Sequence, residues 1–226
     1  MMRMTIKKSL WLLLLLVPAQ ISFAQDDDFG LWFEAFGNKK LFDKLELNLS
    51  GAIRTYHNTS EIEEAFLEAG LTYKFNKFLT AGASYRFTEF REDDELYHPR
   101  HKWYATVTGK LPLGDLDISA RFKFQQRFKT YFEDEDDAQH KEHLRIRLKG
   151  QYDIPSFPVN PYISYEIAIP VFNENVSGVD KSRFIAGAEY NLSKKHAIDL
   201  EYIFERDFYP KMSDISIISL NYKFEF

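Results

Sequence analysis

The sequence predicts an all-β protein, an antiparallel up-and-down transmembrane β-barrel of 10–12 strands. Three observations carry this. Apolar and polar residues alternate with a period of two along almost the whole chain beyond residue 24. Tight and long connections take turns between the alternating runs. Aromatic residues gather at strand ends beside the tight connections and at the carboxyl terminus.

The first residues stand apart. Arg3, Lys7 and Lys8 precede the apolar run "LWLLLLLV", and Ser22 and Ala24 flank Phe23 just after it. A basic start, a short apolar stretch and small residues before a cut form a secretory signal. The run is too short to span a bilayer, which takes about 20 residues. Cleavage is expected after Ala24. Residues 1–24 are then a removed signal peptide and 25–226 a single barrel domain.

Composition narrows the function. There is no cysteine, which excludes disulfides and thiol chemistry. The formal net charge is −5, and loss of the three basic signal residues takes it to −8. No basic stripe covers the domain, which argues against nucleic-acid binding. Aromatics make up 16% of the chain and charged residues 28%. That pairing suits a body that shows aromatics to lipid and charges to water.

The alternating runs come in order. A weaker run, Phe29 to Phe36, precedes Leu45 to Tyr56. "FLEAGLTYKF" sets Leu67, Leu71 and Tyr73 against Glu68, Thr72 and Lys74. "FLTAGASYRFTEF", "HKWYATVTGKL", "LDISARFKF" and "HLRIRLKGQY" repeat the pattern, followed by Ile163 to Ile169, Arg183 to Leu192, Ala197 to Glu205 and Ser216 to Phe226. This makes about eleven strands and no convincing helix. A barrel with both termini at one end needs an even number. Ten strands result if Phe29 to Phe36 is incomplete, and twelve if one hides elsewhere.

Energetics choose the outer face. Arg or Lys turned to lipid near the midplane costs about 2–4 kcal/mol each, and several strands carry two or three. The apolar face therefore points out. The alternative is a soluble lipocalin-like carrier with its aromatics inward. Tyr73, Phe75, Tyr152, Tyr190, Tyr222, Phe224 and Phe226 form the expected periplasmic girdle. Gln126 and Arg206 break the apolar phase near long loops, where long side chains can snorkel.

Several stretches are similar to one family: "FGLWFE", "AIRTYHN", "LTYKFNKFLTAGASYRF", "PYISYEI" and "RFIAGAEYNLSKKHAIDLEYIF", with the aromatic end. Across nearly the whole chain beyond the signal, the sequence resembles the DUF2490 proteins, uncharacterised outer-membrane β-barrels of Bacteroidetes-type bacteria. The resemblance implies a barrel in the outer membrane and carries no catalytic signature. The final Phe226 also resembles the carboxyl-terminal signal read by the barrel-assembly machinery.

The inward face holds the candidate chemistry. Arg86, Arg100, Lys102, Arg121, Lys123, Arg127, Arg145, Arg147 and Lys149 fall on neighbouring strands. Glu166, Glu189, Asp199, Glu201 and Glu205 come later. A basic wall is expected to face an acidic one across the lumen. That network either fills a structural barrel or gives a narrow channel a transverse field for small charged solutes. The acidic run Glu133 to Asp137 is expected in an external loop near lipopolysaccharide. His98 and His101, with Asp93 or Asp94, could share a rim for an enzyme acting on envelope lipid or peptide, but no nucleophile–base pattern accompanies them. No cofactor or metal site is expected. The expected partners are outer-membrane lipid, lipopolysaccharide and the assembly machinery.

Overall fold

A computed structural model describes residues 28–92, 95–130, 140–172, 178–209 and 211–226. The expected signal segment with Ala24, the acids Asp93 and Asp94, and the run Glu133 to Asp137 lie outside the described residues.

Alternation of this length has one regular solution, a sheet with two unlike faces. Eleven strands form it: β1 Asp28–Phe42, β2 Leu45–Tyr56, β3 Glu61–Lys74, β4 Leu79–Arg91, β5 Tyr97–Leu113, β6 Leu116–Lys129, β7 Lys141–Tyr152, β8 Val159–Val171, β9 Lys181–Asn191, β10 His196–Asp207 and β11 Ser213–Glu225. Each pairs with its sequence neighbours, and β1 closes on β11 to make a barrel. Closure removes both free edges, so the strand ladders satisfy each other around the whole circuit.

The closing pair corrects the expected parity. β1 is a full strand, and its pairing with β11 is parallel, from Asp28 opposite Ile215 to Asn38 opposite Glu225. The other pairings are antiparallel. A parallel seam accommodates an odd number of strands, so neither the ten- nor the twelve-strand solution is needed. It also places the two ends of the wall at opposite mouths. Asp28 lies at the mouth carrying the β4–β5, β6–β7, β8–β9 and β10–β11 connections (the loop end). Phe226 lies at the mouth carrying the tighter turns such as Asp43–Lys44 and Gly114–Asp115 (the turn end).

The two faces differ as the alternation requires. On β3, Leu67 is 70% exposed while its neighbour Phe66 is 4% exposed. Leu71, Tyr85, Phe122, Leu148, Ile163, Tyr165 and Leu200 are likewise exposed on the outer wall. Inside, near the loop end, Trp32, Ile185, Ile203, Ile215 and Ile217 pack together with Tyr56 against them. Ile217 is completely enclosed. This apolar cluster fills one side of the lumen. The alternation did not single it out, because on β11 isoleucines stand on both faces in "DISIISL".

The seam is covered outside by the chain's own end. A Cβ on Gly37 would come within 2.8 Å of the Phe224 ring and 2.9 Å of the Phe226 ring. Those two rings meet edge to face, with centroids 4.5 Å apart. Phe226 N–H also donates to the Asn38 carbonyl at 2.9 Å, which ties the last residue to β1. At the loop end, the Asp28 carboxylate accepts from the His57 and Asn58 N–H groups at 3.1 and 2.7 Å. His57, Asn58 and Thr59 all have positive φ. Asp28 thus holds a backbone conformation that non-glycine residues rarely adopt.

Candidate functional site

Cross-strand register places all of the predicted lumen charges on one face. One row runs Arg121, Arg147, Glu166, Arg183 and Glu205 across β6 to β10. Another runs Arg86, Lys102 and Arg127 across β4 to β6. Strand neighbours of like charge therefore stand directly opposite each other, which is destabilising unless counter-charges or water intervene.

The counter-charges flank the basic arc on both sides rather than facing it from one wall. On β8, Glu166 accepts from Arg121 at 2.6 Å and also from Arg145. It lies beside the basic strands, not across the lumen from them. On β10, Glu205 is 2% exposed and binds Lys181 and Arg183. On the other flank, acids that the sequence did not single out complete the pairing. Glu68 of β3 accepts from Arg86 at 2.7 Å and from the Tyr104 hydroxyl. Arg54 donates to Glu64 at 2.6 Å, lies 3.6 Å from Glu34, and stacks 3.9 Å over Trp32. The signal was present as Glu34, Arg54, Glu64 and Glu68, each on the polar phase of its own strand.

Near the turn end the acids gather on β9 and β10. Lys223 donates to Glu189 at 2.7 Å and to Asp199 at 2.8 Å. The Tyr162 hydroxyl lies 2.9 and 3.0 Å from the two Asp199 oxygens and also contacts Glu201. Asn221 donates to Glu201 at 3.2 Å. Gly187 makes room for this arrangement, since a Cβ there would lie 2.6 Å from the Tyr162 ring.

Not every cation is neutralised. Lys102, Lys123, Arg127, Arg147 and Lys149 have no carboxylate within ion-pair distance among the described residues. Lys123 lies 3.8 Å over the Tyr104 ring and Lys149 3.6 Å over the Tyr162 ring. At the loop end, Arg100 is paired, donating to Glu92 at 3.1 Å, and Lys129 donates to the same carboxylate at 2.8 Å. Burial raises the pKa of Glu92, but the Lys129 hydrogen bond and the Arg100 charge outweigh it and hold the carboxyl below its usual range.

The predicted girdle residues lie on the outer wall toward the turn end. Tyr73, Phe75, Tyr152, Tyr190, Tyr222 and Phe226 are exposed, and Phe224 is half-covered by its neighbours. The outer wall also carries polar residues nearer the loop end. Gln126 and Arg206 are on the apolar phase as expected, but they are bonded. Gln126 accepts from Trp103 at 2.7 Å and donates to Glu142 at 2.7 Å. Arg206 grips Asp214 through two bonds of 2.6 and 2.5 Å.

The rim-enzyme constellation does not assemble. His98 is buried on the inward face, while His101 is on the outer wall, stacked on Phe128 and bonded to Tyr85. An odd separation along a strand puts two side chains on opposite faces. Among the described residues no group of three or more His, Asp or Glu side chains could hold a metal ion. The lipocalin-like arrangement is overturned too, because the inward face carries the charges and the outward face the large apolar residues.

The profile of the family described as "Protein of unknown function (DUF2490)" matches residues 29–214. The chain belongs to the DUF2490 family. No curated protein sequence matches it. Solved structures match the fold. A bacterial polysaccharide outer membrane secretin superposes with a TM-score of 0.55 at 10% identity, over 83% of this chain and 67% of that one. The β-domain of the Bordetella autotransporter BrkA gives 0.52 at 10% identity, over 83% and 86%. At such identity the likeness of this DUF2490 chain to the two structures concerns the fold alone.

Proposed function

We propose that this DUF2490 barrel resides in the bacterial outer membrane and is a narrow, water-containing passage that favours small anions. The carrying observation is the set of lumen cations without carboxylate partners among the described residues: Lys102, Lys123, Arg127, Arg147 and Lys149. A sealed structural barrel is expected to pair its buried charges, because an unpaired charge in a dry interior is strongly disfavoured. Water or mobile anions beside these side chains remove that penalty. An eleven-strand circuit lies between the eight strands that side chains can fill and the sixteen or more that leave a wide channel. Passage is accordingly restricted to small solutes.

Outer-membrane residence is supported by the apolar outer wall, the turn-end aromatics and the fold of the neighbours. With the turn end periplasmic, the Trp103–Gln126–Glu142 and Arg206–Asp214 groups sit toward the lipopolysaccharide headgroups. The test is purification from membrane fractions, followed by current recording in planar bilayers under a salt gradient. A reversal potential of anion-selective sign is expected, with selectivity reduced in a Lys123→Gln/Arg127→Gln variant. A soluble protein, or a barrel selective for cations, overturns the reading.

A second reading, a sealed barrel, is favoured by the apolar cluster around Ile217. Trp32→Ala discriminates between them. Under the passage reading it raises an existing current, and under the sealed reading the wild type carries none.

A further inference from the structure

We infer that the turn-end vestibule of the lumen is a binding site for a tetrahedral oxyanion, specifically the phosphate group of a small hydrophilic solute. This rests on the water-containing lumen proposed above. A cavity of about 290 Å³ opens there, lined among others by Thr80, Thr108, Ser119, Arg147, Lys149 and Gln151. Two adjacent cross-strand rows build it. Thr80, Thr108, Arg121 and Arg147 stand opposite one another in turn on β4 to β7. One step nearer the turns, Lys110, Ser119 and Lys149 do the same on β5 to β7.

The pairing pattern leaves this corner unfilled. Glu166 stands opposite Arg147 in the register, yet its two oxygens are taken by Arg121 and Arg145. Of Arg121, Arg145 and Arg147, Arg147 is therefore the one without a carboxylate partner among the described residues, and it lines the cavity. Lys149 is beside it, over the Tyr162 ring and without an ion pair among the described residues, and Lys110 and Asp117, which also line the cavity, neutralise each other at 2.7 Å. The hydroxyls of Thr80, Thr108 and Ser119 make no side-chain hydrogen bond among the described residues. The acids on the neighbouring strands are engaged, Glu189 and Asp199 by Lys223, and Asp199 and Glu201 by the Tyr162 hydroxyl.

The vacant groups are overwhelmingly donors: a planar fork, an ammonium, hydroxyls and an amide. A guanidinium fork matches two oxygens of a phosphate, and a tetrahedral dianion has further acceptors for the remaining donors. A carboxylate or a halide presents too few oxygens to use them. The volume falls at the small end of ligand pockets, about 300–1,000 Å³. It suits inorganic phosphate or a phosphate ester of a small alcohol rather than a nucleotide.

The test is titration calorimetry of the folded full-length barrel in detergent micelles at constant ionic strength. The probes are inorganic phosphate, glycerol 3-phosphate and acetate. Saturable binding of both phosphates is expected, with acetate about tenfold weaker or more. Arg147→Gln should weaken phosphate about tenfold, Thr108→Val should weaken it less, and Lys195→Gln, in an exposed turn, should leave it unchanged. A heat-modifiable gel shift confirms folding, and the near-isosteric Thr108→Val carries the test should Arg147→Gln not fold. Absence of saturable heat, equal affinity for acetate, or full wild-type affinity in the folded variants overturns the site. Phosphate binding without current in bilayers removes the passage but keeps the site, and current without phosphate binding does the reverse.

Discussion

Replacing Glu166 with glutamine tests the charge logic of the lumen most directly. The side chain is 5% exposed and lies between Arg121 and Arg145, whose side chains are 24% and 14% exposed. Glutamine keeps the shape, so no cavity forms and the change is one of charge. Removing one partner from a buried ion pair costs about 3–5 kcal/mol. Some lumen water reaches Arg121, so the lower end applies, about 3 kcal/mol. That is a folding equilibrium constant reduced by roughly two orders of magnitude. The assay is a urea titration of folding into lipid vesicles, read by heat-modifiable mobility. Arg147→Gln should be neutral or stabilising, because it relieves repulsion from Arg121 directly opposite. Added to Glu166→Gln, it should recover part of the loss. A destabilisation below about 1 kcal/mol for Glu166→Gln, or no recovery in the double variant, would refute the reasoning.

Other outcomes follow from features away from that row. Gly37→Val drives side-chain atoms into the Phe224 and Phe226 rings and should cost about 1–3 kcal/mol, measured by the same titration; an unchanged midpoint shows that the rings do not brace the seam. Deleting Phe226 should lower the yield of inserted barrel in cells more than it changes conduction by molecules already inserted, as quantified by surface-membrane immunoblot and single-channel recording. Glu92 should titrate below the ordinary glutamate range in carbon-detected spectra. Since its folded pKa is depressed, its contribution to stability is complete above the unfolded value of about 4.3 and is lost as pH falls through the lower folded value. Glu92→Gln should flatten that acid limb of the stability curve, and an identical limb counts against the Arg100–Glu92–Lys129 knot.

Much of the wall could be read from the chain because a period of two needs no knowledge of partners. Leu67 and Phe66 are both large and apolar, yet the flanking alternation already assigns Leu67 outward. The pairing inside was less legible. Glu166 meets Arg121 and Arg145 because of the register between β6, β7 and β8, and register depends on turn geometry and on the stagger of the closed barrel. The partners of Glu34, Glu64 and Glu68 depend on register in the same way, since the alternation puts each acid on the inner face but only the stagger of β1 to β4 sets Glu68 against Arg86 and Glu64 against Arg54. His98 and His101 are different. Their odd spacing already places them on opposite faces of any strand, so the shared rim conflicted with the alternation itself. The parallel seam had no local signature, because β1 carries the same alternation whichever way its neighbour runs.

That seam has a consequence for how the molecule is built. Hairpins such as β2–β3 or β4–β5 can enter a bilayer as paired units, each carrying its connection across. β1 has only β2 as a hairpin partner, and its far side waits for the last strand made. Its start, Asp28, ends at the mouth opposite to Phe226. An epitope placed just before Asp28 and one placed after Phe226 should therefore report on different compartments. The ring is completed only when the first and last strands, synthesised farthest apart in time, lie side by side and point the same way.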